Sequence, residues 1–295
     1  MNEERKTLDA TAVSVMVLLC LIWGVGHVAA KFTAQGISLV FQSGIRSLVA
    51  TGLLLAWVHF RRIPLWERDR TLWPGIFAGL LFATEFIFIF AGLAMTDAAR
   101  MVVFVYLAPC MTAFGLHFLI PQERLDARQW AGILLAFAGV AVAFGDGFAG
   151  GRGTLMGDFF GLMGAVFWAA TTVLIRATRL ASVSAPKTLF YQLVVSGPVL
   201  LATSWLIGEP GVTRLSPPIV AAFLYQCVIV AFFSYLSWFW LLRHYLAARL
   251  SVLTFLTPLF GVLAGVLLLG EPLTPFFAVA AVLVGAGIYL VNLKN

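Results

Sequence analysis

Apolar runs of about twenty residues, parted by short polar breaks, recur along the whole chain. They fall at about 12–30, 38–60, 73–94, 97–120, 128–145, 156–177, 187–207, 217–242, 247–269 and 275–292. The breaks carry residues that stop helices: Arg61-Arg62-Ile63-Pro64, Pro121-Gln122-Glu123, Gly150-Gly151-Arg152-Gly153 and Gly208-Glu209-Pro210-Gly211. A run of this length crosses the hydrocarbon of a bilayer as one helix. Lipid offers no partner to a free peptide group, so such runs predict helices rather than open strands. The first run follows Arg5 and Lys6, as a signal peptide would. It ends in Trp23-Gly24 and Lys31 with no convincing cleavage site, and it reads as a retained helix.

Composition removes the water-soluble alternative. The 295 residues are 61% hydrophobic and 11% charged, with a mean hydropathy of +0.98. Soluble domains are about 45–50% apolar and about 25% charged. The expectation is an all-α integral membrane protein of ten transmembrane helices, with the lipid bilayer as its solvent. The isoelectric point near 9.5 does not point to nucleic acid, because the basic residues are scattered through short breaks. Cys20, Cys110 and Cys227 are isolated inside apolar runs. No metal, redox centre or cofactor is implied.

The basic residues set an orientation. One side of the threaded chain collects Arg5, Lys6, Arg61, Arg62, Arg68, Arg70, Arg124, Arg128, Arg176, Arg179, Lys187, Arg243, Arg249 and Lys294. The other holds Lys31, Arg100, Arg152 and Arg214, and Arg46 falls inside the second run. The positive-inside rule then puts both termini in the cytoplasm, within a cell inner membrane.

The chain also repeats itself. Ala98-Ala99-Arg100 precedes Pro109, Glu123, Leu125 and Gly139; Ala247-Ala248-Arg249 precedes Pro258, Glu271, Leu273 and Gly287. Trp23 stands eight residues before Lys31, and Trp168 eight before Arg176. The offsets lie between 145 and 149. This divides the chain into five-helix halves, 1–149 and 150–295. Five is odd, so the second half enters from the opposite face, an inverted repeat of the kind that secondary transporters use.

The Trp-Gly element of the first run, the prolines of runs four and nine, and the Glu-x-Leu openings before runs five and ten resemble the EamA-type drug/metabolite transporters. The likeness covers essentially the whole chain and is nearest to the YddG-type exporters of aromatic and other neutral amino acids. It implies a ten-helix basket around a central cavity, with runs five and ten peripheral.

Several residues are candidates for the path. Glu85 lies midway along run three; a carboxylate there needs a cavity or a partner. It suits a substrate ammonium or a transported proton, and the structural alternative is a pair with Arg46. Arg46 suits a substrate carboxylate or a structural tie. His27, one turn from Lys31, can titrate near neutral pH or serve only in packing. Trp168 in run six, and Tyr106 and Tyr235, are cavity-wall or core residues. Ser234, Ser237 and Trp238 share a helical face that could accept an aromatic side chain. Pro109 and Pro258 each free a carbonyl four residues earlier, at Val105 and Thr254, and so mark bends or hinges. Gly161 with Gly164, and Gly261 with Gly265, read as close helix contacts.

Four scattered histidines and no paired aspartates, HExxH or Gly-x-Ser-x-Gly argue against an enzyme. No filter motif or ligand domain favours a channel or receptor. The reading is a secondary transporter that exports small amphipathic or zwitterionic metabolites, aromatic and other neutral amino acids first, by alternating access. Protons are candidate co-substrates and the unit is a monomer. Multidrug or lipophilic-cation efflux is the alternative.

Overall fold

The computed structural model describes residues 6–67, 69–93, 95, 98–145, 154–270 and 276–293. Among the residues used for orientation and repeat, Arg5, Arg68, Arg152, Lys294, Glu271 and Leu273 lie outside these, as does the break Gly150-Gly151-Arg152-Gly153. The described chain is helical, with isolated bridges at Lys6–Tyr245 and Ile37–Val212. Its helices are α1 (Ala10–Thr33), α2 (Leu39–Arg61), α3 (Leu72–Leu93), α4 (Ala98–Val105), α5 (Ala108–Leu119), α6 (Ala127–Ala143) and α7 (Leu155–Ala177). There follow α8 (Ala185–Leu206), α9 (Pro217–Tyr225), a π-helix (Gln226–Ser234), α10 (Tyr235–His244), α11 (Ala247–Leu253), α12 (Leu256–Leu269) and α13 (Phe276–Asn292).

Eight stretches are long and apolar enough to cross a membrane, and α6 and α13 are shorter apolar helices of 17 residues each. Side-chain caps start several of them. Asp9 accepts from the Ala12 amide at 2.8 Å to open α1, Thr154 accepts from Gly157 to open α7, and Asp126 with Gln129 closes a capping box on α6. Large apolar side chains point outward: Leu155 is 87% exposed, Phe60 82% and Leu267 80%. Such a surface suits lipid and not water.

Runs four and nine are each two helices. Pro109 and Pro258 lack the N–H that would complete the ladder. The chain tightens just before each: Leu107 donates to the Phe104 carbonyl at 3.1 Å, and Phe255 donates to the Val252 carbonyl at 3.2 Å. Run eight also departs from a plain helix. Residues 226–234 form a π segment, a wider coil that is rare and frequent at functional sites.

The helices pack through small residues. Gly24 of α1 lies against Gly261 and Phe260 of α12, Gly161 of α7 against Phe104 and Met101, and Gly164 against Ile89 of α3. α6 and α13 pack chiefly on each other. There a Cβ at Gly139 would meet the Ala280 carbonyl, and one at Gly287 would meet that of Gly132. α2 lies on α8, α3 on both α7 and α8, α5 on α7 and α11, and the π segment on α1 and α2.

Candidate functional site

Arg46 enters on the second turn of α2 and is 7% exposed. Its Nε and Nη2 are buried without a hydrogen-bond acceptor among the described residues. The guanidinium lies instead over the Phe86 ring, 5.0 Å from its centroid. Phe86 belongs to an aromatic row: it meets Phe82 at 5.1 Å and Phe90 at 5.7 Å, and Phe82 meets Tyr235 of α10 edge-on at 5.8 Å. Glu85, on α3 within this row, is 8% exposed. The expected Glu85–Arg46 tie is not a direct ion pair: no carboxylate lies within 4.0 Å of Arg46 among the described residues. The two act on each other through space, and Arg46's charge also reaches His27, Cys227 and Tyr235. His27, on α1, is exposed. Four elements thus bring a guanidinium, a carboxylate, an imidazole and a phenol together beside aromatic rings. Two of the Arg46 nitrogens, buried without an acceptor among the described residues, have the Phe86 ring in place of water, and an anion that enters would supply the missing acceptor.

The other candidates form separate groups. Ser234 and Trp238 meet on Trp23: the indole donates to the Ser234 hydroxyl at 2.8 Å, and the two indole rings pack edge-on at 5.8 Å. Ser234 in turn donates to the Val230 carbonyl at 2.6 Å. Its hydroxyl is therefore engaged within the fold. Ser237 donates to the Phe233 carbonyl at 2.9 Å. Ser234 and Trp238 thus share a face, and Trp23 covers it. Tyr106, 3% exposed, packs on Trp168 at 5.7 Å. Pro109 and Pro258 stand just after the two tightened turns.

Among the buried polar groups not singled out from sequence, two join several helices. Glu123, 2% exposed, accepts from Arg176 Nε at 3.0 Å and from Arg176 Nη2. It also accepts from the Ala247 and Ala248 amides, each at 3.0 Å. One carboxylate thereby joins the end of α5, the end of α7 and the N-terminus of α11, where the helix dipole favours it. Both residues were visible as repeat markers, but only the fold shows that they meet. The second group is Gln226, whose amide donates to Thr33 Oγ1 at 3.1 Å and to Gln42 Oε1 at 3.0 Å. It ties the π segment to α1 and α2.

A helical bundle with broken, proline-marked helices and buried charged residues is what comparison with known proteins explains. Residues 10–145 and 155–293 each match the EamA-like transporter family. The chain belongs to this family. As an EamA transporter it is a multi-pass membrane protein that moves solutes and is not an enzyme. It is 29% identical to the uncharacterized transporter YvbV of Bacillus subtilis (strain 168), over 100% of this chain and 95% of that one. It is 26% identical to a probable amino-acid metabolite efflux pump of Salmonella typhimurium, over 93% of this chain and 92% of that one. A solved crystal structure shares the fold at 20% identity, with a TM-score of 0.79 over 96% of this chain and 98% of the other.

Proposed function

We propose that this EamA transporter exports amino acids and related zwitterions, aromatic ones foremost, from the cytoplasm by alternating access. The observation that carries the reading is the buried Arg46 guanidinium, stacked on Phe86 with Nε and Nη2 lacking an acceptor among the described residues, and with Glu85 within reach of its charge. One positive and one negative group, unjoined, match the carboxylate and ammonium of an α-amino acid. The row of Phe82, Phe86 and Tyr235 offers apolar surface to its side chain. The printed name of the Salmonella relative agrees. A lipophilic cation would be repelled by Arg46, which places multidrug efflux second.

The same reading takes the chain as ten membrane helices in two inverted halves, 1–149 and 150–295, around a central cavity, working as a monomer. The packing supports it: the main pairings of helices recur when each run is exchanged for its counterpart five runs later. Both termini face the cytoplasm of an inner membrane. In support, residues that the charge rule puts on that side meet there: Lys6 bonds to His244 and Leu246, and Arg128 to Leu293. Glu85 and His27 are the groups available to a coupled proton.

Reconstituted protein should exchange labelled phenylalanine across liposomes, and Arg46→Gln should slow the exchange about 10–100-fold. If wild type moves cationic dyes and no amino acid, the zwitterion reading is wrong. Applying a pH gradient decides coupling: an unchanged rate removes the proton.

A further inference from the structure

We propose that the end of α2 binds an anionic phospholipid, its phosphate against His59 and Arg62 and its chains along the outward face of the helix. A cavity of about 700 Å³ opens there, lined by Leu55, Val58, His59, Arg62, Leu65 and Trp66 among others. Its rim is built like a membrane boundary. Phe60 is 82% exposed and Trp66 81%, and indoles settle at headgroup depth. The Trp66 ring is held edge-on against Phe190 of α8 at 5.4 Å, which fixes that wall.

The charge at this site is in excess. Arg61, Arg62 and His59 crowd the last turn of α2, and the Arg61 guanidinium lies 5.2 Å over Trp57. A helix C-terminus carries about half a negative charge, less than these groups supply. Glu67, exposed in the same connection, forms no ion pair with them within 4.0 Å among the described residues. Asp69, in the same connection, is taken by Lys187 at 2.7 Å and by the Thr71 hydroxyl. Among the described residues none of Arg61, Arg62 and His59 has a carboxylate within 4.0 Å.

Backbone conformation adds an independent sign. Arg62 has φ 53 and ψ 39, the left-handed conformation that glycine usually supplies after a helix. Among the described residues the other non-glycine with positive φ is Arg70, at the far end of the same connection. Glycine would relax the turn; arginine here places a guanidinium at the helix end at the cost of that relaxation. A free phosphate would answer the charge and leave Leu55, Val58 and Leu65 uncovered. A phosphodiester bearing acyl chains answers both.

The test uses full-length protein in detergent, titrated with dioleoyl phosphatidylglycerol or dioleoyl phosphatidylcholine and read by native mass spectrometry. Phosphatidylglycerol should be retained over phosphatidylcholine, and the preference should fall about fivefold for each arginine removed. Arg62→Gly with His59→Gln should abolish it, while Arg62→Lys keeps most of it. Because Arg62→Gly relaxes the turn, its melting temperature should hold or rise, which separates lost binding from lost folding. Equal retention of the two lipids, or a preference that survives Arg62→Gly with His59→Gln, overturns the proposal. So does displacement by glycerol 1-phosphate at matching concentration, which would show that the headgroup alone is bound. Neither result bears on the substrate reading.

Discussion

The Ser196 hydroxyl donates to the Ser47 hydroxyl across 3.3 Å, and the two residues stand 149 positions apart, the separation of Pro258 from Pro109. A residue touches its own counterpart only where an axis relating two halves passes through. The α6–α13 contact repeats the relationship. Gly139 faces Ala280 and Gly287 faces Gly132, and a shift of 148 turns the first contact into the second. These contacts support descent of the two halves from one.

Gly139→Ala and Gly287→Ala should therefore cost similar stability, about 1–3 kcal/mol each, since in both a methyl group meets a backbone carbonyl. Gly52→Ala, with open space around it, should be neutral or mildly stabilising because glycine weakens a helix interior. Melting followed by tryptophan fluorescence checks all three. A neutral Gly287→Ala would mean that α6 and α13 do not approach this closely.

Glu123 and Arg176 should show strong coupling. Removing one partner of a buried pair typically costs about 3–5 kcal/mol, and replacing both by apolar groups costs much less. Here Glu123 also caps α11, so Glu123→Leu should be the worse single change. Arg176→Met on top of Glu123→Leu should restore part of the loss. A double-mutant cycle in melting temperature measures this, and additive losses would show that the pair does not act as a unit.

Stability should also depend on acid at the Asp69–Lys187 contact. Burial pushes the Asp69 carboxyl up, but bonds from Lys187 and Thr71 outweigh it and hold the group below its ordinary 3.8. A depressed carboxyl contributes stability in full above the unfolded value and loses it as pH falls toward the folded one. The melting temperature should thus drop as pH falls below about 4. Asp69→Asn should flatten part of that drop, the remainder coming from groups such as Asp9, which the Ala12 amide holds low. An unchanged acid limb in Asp69→Asn would show that the contact does not form in solution.

What the sequence made legible follows from where the information sits. Hydropathy located the helices to within a few residues, because lipid tolerates no long polar gap. Pro109 and Pro258 marked the breaks in runs four and nine, since a missing N–H is a local property. The π segment had no such mark: nothing in Gln226–Ser234 distinguishes it from an α-helix, and its tie to Thr33 and Gln42 is tertiary. Arg176 counted as a loop charge by position, although it is 5% exposed against a carboxylate 53 residues away. Arg46 and Glu85 stand out as candidates because charge inside an apolar run is conspicuous. Their failure to form a direct pair depends on helix rotation, which periodicity does not fix.

That unjoined pair gives the sharpest expectation about transport. If Arg46 receives the substrate carboxylate and Glu85 its ammonium, each residue should discriminate against a different truncated cargo. Wild type should prefer phenylalanine to phenylalaninamide, which lacks the carboxylate, and to 3-phenylpropanoate, which lacks the ammonium. A hydrogen bond to a charged group contributes about 1.5–3 kcal/mol, or about 10–100-fold in exchange rate. Arg46→Gln should lose the preference over phenylalaninamide and keep that over 3-phenylpropanoate; Glu85→Gln should do the reverse. Counterflow in liposomes with the three labelled compounds reads both ratios. A general loss of activity in each variant, with both ratios unchanged, would assign Arg46 and Glu85 to the scaffold. Crossed losses would place the two ends of the cargo on the two charges, because a structural role has no reason to distinguish an amide from a missing amine.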